Sequence, residues 1–280
     1  MWLLVWLPRP VQYWLGALFG KLLYRVAKRR RHITEVNIKL CYAELSPEQQ
    51  QIMVKKVFEE NAIGLIETAV SWFRDPAYSR KRLTVEGLEH LNQAKSLGRG
   101  VLLVGAHYTT LDMGGVLITD VSELDVMYMP NKNPFVDRLI KRSRERYCDR
   151  VIDRKNIRGV YKSLKDGHVF WYSPDQDYGK KSSVFAPFFG INAASVKFTT
   201  KFANINNSPV VILSHHRKPD NSGYIVRFSK ALEGYPTGDD VADATLINQK
   251  LEAEIRKCPE QYMWVHRRFK TRPDGEQGFY

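Results

Sequence analysis

From residue 82 onward, short apolar runs alternate with longer amphipathic stretches, and this alternation narrows the possible folds more than any other feature of the chain. The runs predict strands over Leu83–Val85, Val101–Gly105, Leu124–Met129, His168–Tyr172, Val210–Ser214 and Tyr224–Phe228. Between them, helices are predicted near 88–97, 110–119, 134–147, 156–165, 194–206 and 243–257. Such alternation implies an α/β fold: a central, mostly parallel sheet flanked by helices. The last two strands are joined only by a turn-rich stretch, Pro219-Asp-Asn-Ser-Gly223, and read as a hairpin. Residues 1 to about 75 read as helical, and Ser46-Pro47-Glu48 has the form of an N-cap with proline in the first turn, opening a helix toward Trp72. No internal repeat, low-complexity tract or linker is visible.

The first 31 residues have a different character. Met1–Leu7 is almost wholly apolar, then Pro8-Arg9-Pro10 leads into Val11–Gly20 and Leu22-Leu23. No basic residue precedes the apolar run and no small-residue cleavage site follows it, which excludes a signal peptide. A membrane crossing needs about 20 uninterrupted apolar residues, and Arg9 with two prolines breaks the run. Trp2, Trp6, Tyr13 and Trp14 are residue types that favour the headgroup zone. The run Lys28-Arg-Arg-Arg31 behind them suits an anionic leaflet, at roughly 1 kcal/mol per charge. Residues 1–31 are therefore expected to form a membrane-associated helix, lying in or part-way through the bilayer with its basic end in the cytosol. The alternative is a buried helix of a soluble protein. Residues 32–280 are expected to form the α/β domain, with its own leading helices over 32–75.

The chain has 43 Lys and Arg against 30 Asp and Glu, a net charge of +13. This excess favours an anionic partner: nucleic acid, an anionic membrane or a phosphorylated substrate. No nucleic-acid recognition module is visible, so nucleic acid is not expected. Cys41, Cys148 and Cys258 are odd in number, far apart and without a CxxC pair. They read as reduced thiols rather than a zinc site or a disulfide framework.

A histidine followed five positions later by an acid is a weak signal. With seven histidines and 30 acids in 280 residues, nearly one such pair arises by chance. Two occur: His107 with Asp112, and His215 with Asp220. His107 follows the apolar run Val101-Leu-Leu-Val-Gly-Ala106, and Thr109 and Thr110 can cap the helix that begins there. It would stand at the C-terminal end of a strand, where open α/β sheets place their ligands. On one continuous helix, residues five apart differ by about 140° and do not meet. With His107 on the turn and Asp112 in the first helical turn, the carboxylate can reach back to one ring nitrogen. That would leave the other nitrogen as a general base. His215 precedes His216-Arg-Lys-Pro219, read as a hairpin turn with no helix to carry the acid. No activated serine or cysteine stands out, so the nucleophile is expected to be a hydroxyl of the substrate itself.

The chain resembles the late acyltransferases of lipid A biosynthesis, the lauroyl, myristoyl and palmitoleoyl transferases of Gram-negative bacteria. The resemblance covers nearly its whole length and is carried by Leu102-Leu-Val-Gly-Ala-His107, Tyr128-Met-Pro-Asn-Lys-Asn-Pro134, Trp171-Tyr-Ser-Pro-Asp-Gln-Asp-Tyr-Gly179, Phe185-Ala-Pro-Phe-Phe-Gly190 and Pro259-Glu-Gln-Tyr-Met-Trp-Val-His-Arg-Arg-Phe-Lys-Thr-Arg-Pro273. It implies transfer of a fatty acyl group from acyl carrier protein to a hydroxyl of a lipid A precursor of the Kdo-lipid IVA type. The place implied is the cytoplasmic face of the bacterial inner membrane, with no metal and no cofactor beyond the donor substrate. The family's His-x4-Asp/Glu motif falls on His107 and Asp112. An arginine in the helix after the Asn131 segment matches Arg144, implied to stabilise the oxyanion, although Arg142 and Arg146 flank it.

The remaining site residues carry two readings each. Asp175 and Asp177 either order the site by pairing with arginines such as Arg144, or form a metal-binding Asp-x-Asp, or serve a structural turn. Phe188 lines an acyl groove or fills the core. Arg267 and Arg268, with Lys270 and Arg272, meet phosphates or acidic sugars of the acceptor or form a solvated basic tail. Asn131 is counted among the residues that bind substrate or order the site. The chain departs from the family where Met129 stands in place of a frequent arginine, a contact that Lys132 can supply, and in its shorter N-terminus. The competing functions are a glycerolipid acyltransferase, whose relatives lack the block from Tyr262 to Pro273, and a metal-dependent glycosyltransferase using Asp175 and Asp177.

Overall fold

The computed structural model describes residues 2–280. A 3-10 turn at Leu4–Trp6 leads into helices α1 (Arg9–Val26), α2 (Lys28–Cys41), α3 (Pro47–Phe73) and α4 (Pro76–Arg80). Strand and helix then alternate: β1 (Leu83–Glu86), α5 (Leu88–Ser96), β2 (Val101–Gly105), α6 (Leu111–Ile118), β3 (Asp125–Tyr128), α7 (Pro134–Arg144), β4 (Arg150–Asp153), α8 (Ile157–Lys165) and β5 (Val169–Tyr172). The chain continues through β6 (Ser183–Phe188), β7 (Ile191–Val196), α9 (Phe198–Asn204), β8 (Val210–Arg217), β9 (Tyr224–Ala231) and α10 (Asp240–Ile255).

Seven strands form one sheet in the order β1-β9-β8-β2-β5-β3-β4. The expected α/β architecture is present, since β8–β9 is the one antiparallel pairing. That pairing is the hairpin expected around Pro219–Gly223. The central strand β2 is buried throughout. Its side chains alternate between two cores: Leu102 and Val104 join one, Val101 and Leu103 the other. This two-sided burial is what a continuous apolar run in a parallel sheet encodes.

Two stretches differ from the sequence reading. Residues 191–196, whose last three open the helix expected at 194–206, instead pair antiparallel with β6. Phe189 (φ 51°) and Gly190 (φ 75°) form a two-residue turn with both residues left-handed, which closes a tight hairpin. That turn overrides the helix preference of Ala193 and Ala194. The short edge strand β4 carries no clear sequence signal, because Arg150 and Asp153 at its ends mask the apolar pair between them.

The N-terminal helices follow their local signals. Ser46 Oγ accepts from Gln49 N while Gln49 Oε1 accepts from Ser46 N, a full capping box for α3. α1 lies on α3 where Gly16 faces Ile63 and Gly20 faces Glu59. A Cβ at Gly20 would stand 2.5 Å from the Glu59 Cα, so only glycine allows this approach. The opposite face of α1 exposes Trp14, Leu18 and Leu22. Among the described residues, no helix is long and apolar enough to cross a membrane. The basic run Lys28–Arg31 is the first turn of α2, which continues past residue 31. Asn37 of that helix donates to Trp264 O at 2.7 Å, tying α2 to the C-terminal segment.

Candidate active site

β2 and β5 are parallel neighbours with Val104 opposite Tyr172. Three residues beyond each of these, both chains have left the sheet at the same edge, and there His107 and Asp175 meet. His107 N donates to Asp175 Oδ2 at 2.9 Å, and His107 Nδ1 lies 2.6 Å from Asp175 Oδ1. The Asp175 side chain is 1% exposed and that of His107 19%. Burial by itself raises the Asp175 pKa. Attraction to His107, two hydrogen bonds from it and the nearby Arg268 outweigh that and hold the carboxyl below its usual range. An ionised carboxylate at Nδ1 fixes the proton there and leaves Nε2 free to accept one. The C-terminal segment braces this turn from outside: Met263 N donates to His107 O at 3.0 Å, and Thr109 N to Gln261 O at 2.8 Å.

Asp112 does not touch the imidazole. It lies buried in the first turn of α6 and accepts from Arg144 Nε at 2.8 Å. The reason is directional: the start of α6 aims this carboxylate at the end of α7, while the sheet brings the end of β5 to His107. The expected contacts are therefore exchanged, with Asp175 on the histidine and Asp112 on the arginine. Burial pulls the Arg144 pKa down, but Asp112 raises it further, so the guanidinium keeps its charge. Its neighbours differ. Arg146 is spent on Trp72 O and Arg74 O, at 2.7 and 2.9 Å, and Arg142 is exposed.

His107 stands between two cavities. The larger, about 480 Å³, has apolar walls from Leu111, Val126, Met127, Met129, Tyr147 and Trp171, with Asp112, Arg144 and Arg154 among its polar groups. The smaller, about 190 Å³, is lined by Asn37, Arg267, Arg268 and Lys270. His107, Gln176, Met263 and His266 border both. Burial, and then the nearness of His107, depress the His266 pKa, so its ring favours the neutral form.

The other expected residues divide. Asn131 lines the larger cleft and orders its rim: its N–H donates to Asp137 Oδ1 at 2.6 Å, and its Oδ1 accepts from Asn133 N at 2.9 Å. Lys132 is exposed and does not line the cleft, whereas Met129 and Arg154 do. Asp177 pairs with no arginine. It accepts from Thr271 N (2.6 Å), Thr271 Oγ1 (2.8 Å) and Gly179 N (2.9 Å), holding a turn against the C-terminal segment. Phe188 is wholly buried against Phe189, Tyr262 and Phe269, so it fills the core and lines no groove. Arg268, 3% exposed, borders the smaller cavity, but its guanidinium donates to Ala194 O and Ser195 Oγ and covers the Phe188 ring. Arg267 and Lys270 are the more accessible cations there.

The sequence reading missed one contact beneath the site. His215 is a fully buried residue of β8, not of a turn, while Asp220 bonds Ser222 in the exposed loop beyond. Thr110 Oγ1 lies 2.9 Å from His215 Nδ1 and donates to His215 O at 3.0 Å. The Thr110 hydroxyl thus ties the His107 turn to the sheet and makes no cap for α6.

Residues 1–271 match the family described as bacterial lipid A biosynthesis acyltransferase. The chain is 40% identical over 276 residues to the lipid A biosynthesis lauroyltransferase of Escherichia coli K12, covering 98% of this chain and 90% of that protein. It is 38% identical over 281 residues to the palmitoleoyltransferase of the same strain, covering 100% and 92%. A lipid A biosynthesis acyltransferase of Haemophilus influenzae is 35% identical over 272 residues, covering 96% and 87%.

Proposed function

The chain belongs to the bacterial lipid A biosynthesis acyltransferase family, and we propose that it moves a fatty acyl group from acyl carrier protein to a hydroxyl of a lipid A precursor, with His107 as general base and Asp175 as its orienting carboxylate. The observation that carries this reading is the His107 Nδ1–Asp175 Oδ1 contact at 2.6 Å, made where His107 borders both cavities. The apolar cleft suits an acyl chain. The cavity with Arg267 and Lys270 suits the phosphorylated, acidic headgroup of a Kdo-lipid IVA type acceptor.

In this reading the acceptor hydroxyl gives its proton to His107 Nε2 as its oxygen attacks the thioester carbonyl. The imidazolium that forms is stabilised by ionised Asp175. Arg144, held by Asp112 at the cleft wall, supplies positive charge to the tetrahedral oxyanion. Collapse forms the ester and breaks the C–S bond, and the imidazolium returns its proton to the departing thiolate. Asp175 and Asp177 are engaged with His107 and Thr271 respectively, which favours this chemistry over a metal-bound nucleotide sugar.

For location we propose the cytoplasmic face of the inner membrane. α1 would lie in the interface with Trp14, Leu18 and Leu22 toward lipid and Lys28–Arg31 at the headgroups.

The test is transfer of a labelled acyl chain from acyl carrier protein to a lipid A precursor. Purified protein should catalyse it, and His107→Ala should slow it by roughly 10²–10⁴-fold. Near-normal turnover in that variant would remove the base from the mechanism.

A further inference from the structure

The face of α7 turned away from the active site is unpartnered and unusual. Phe135, Arg138 and Arg142 fall three and seven residues apart, on one side of the helix. Arg144, nine residues from Phe135, falls on the opposite side, toward Asp112. Phe135 is 76% exposed. Arg138 and Arg142 are also exposed and have no ion pair among the described residues, whereas Lys141 beside them has Glu145 at 3.8 Å. The residues just before the helix, Met129 and Asn131, form the rim of the apolar cleft.

We propose that this outer face of α7 docks an acidic carrier protein presenting the acyl thioester, an inference that rests on the donor reading above. Unpaired arginines around one exposed aromatic ring form the polar rim and apolar centre of a transient protein interface. Their charge is complementary to an acidic partner. Their position beside the cleft rim lets a thioester on a flexible arm reach His107 while its carrier stays outside. The face of α1 proposed above to meet lipid is built differently: a row of apolar side chains, Trp14, Leu18 and Leu22, with the cations gathered beyond its end.

The experiment compares two donors of the same acyl group, one on acyl carrier protein and one on pantetheine, using full-length protein and detergent-dispersed acceptor. Arg138→Glu combined with Arg142→Glu should raise KM for the protein-borne donor by about tenfold or more. It should leave kcat, and the KM for the pantetheine thioester, unchanged. Added salt should raise the wild-type KM for the protein-borne donor and narrow the gap to the variant. Phe135→Ser should act in the same direction without changing charge. Equal losses with both donors, or no loss with either, would overturn the docking surface while leaving the acyltransfer reading intact. A defect confined to acceptor in anionic vesicles, tracking vesicle binding, would reassign the face to lipid and overturn it as well. A wild-type protein that uses neither donor would overturn the acyltransfer reading and this inference together.

Discussion

His107 and Asp175, 68 residues apart in the chain, are joined by two hydrogen bonds because they overhang neighbouring parallel strands by the same length. The carboxylate holds both the backbone and the ring of the histidine, so it sets position and tautomer at once. Asp175→Asn keeps the shape but supplies no charge to an imidazolium. Its kcat should fall by roughly 10²–10⁴-fold. The double variant with His107→Ala should be little worse than either single change, because the two act as one unit. Steady-state rates of the three variants check this. Additive losses would mean that Asp175 acts independently of the histidine.

Asp112 should behave differently, since its partner is Arg144. Removing either member leaves a charge with little access to water: the side chains are 10% and 17% exposed. Asp112→Asn should therefore cost about 3 kcal/mol of stability, read from urea unfolding. Adding Arg144→Gln should recover part of that loss. Arg144→Gln alone should lower kcat roughly 10²–10³-fold through the lost oxyanion donor. A fully active Arg144→Gln enzyme would take that residue out of the chemistry.

The dependence of stability on pH follows from the buried histidines. Burial lowers the pKa of His215 from 6.5 to about 3 and that of His216 to about 4. Between those values and 6.5 the unfolded chain binds more protons than the folded one, so stability falls as pH drops below 6.5. Asp175 acts at lower pH, overlapping only the acid end of the His215 window. Its folded pKa is depressed, so its contribution is present above the unfolded carboxylate value and is lost only as pH falls through the lower folded one. Thermal melts across this range should show a shallower acid slope in His215→Gln than in the wild type. An unchanged slope would remove His215 from the account.

The sheet was legible because its signal is local. Val101–Gly105 is apolar without interruption, and the structure buries it on both faces. The wiring of the candidate site was less legible because it is tertiary. Asp112, five residues from His107, looks like the natural partner in sequence, but only the β2–β5 pairing reveals Asp175. The basic C-terminal stretch misled in another way. Sequence treats Arg267 and Arg268 alike, but of these two cavity-lining residues Arg268 is buried and locked onto Ala194 and Ser195, while Arg267 is the more accessible. The β6–β7 hairpin turned on two left-handed residues, and Phe189, the non-glycine one, carries no sequence mark of that conformation.

The N-terminal helix gives the last prediction. Gly16 and Gly20 press α1 onto α3, so the face with Trp14, Leu18 and Leu22 points outward, between 51% and 64% exposed. Burying one such side chain in an interface is worth about 1.5–3 kcal/mol, and on the proposed membrane surface the basic first turn of α2 would add attraction to anionic lipid. Replacing all three apolar residues with serine should weaken binding to anionic vesicles by at least about 100-fold. Because none of the three packs against the site, transfer to detergent-dispersed acceptor should persist. Glycine replacement offers the converse case. Gly20→Leu cannot keep the 2.5 Å approach to α3, so it should loosen α1 and lower the melting temperature even without lipid. Vesicle co-sedimentation beside melting curves separates the two effects. Serine variants that still bind vesicles at wild-type strength would show that this face serves something other than lipid.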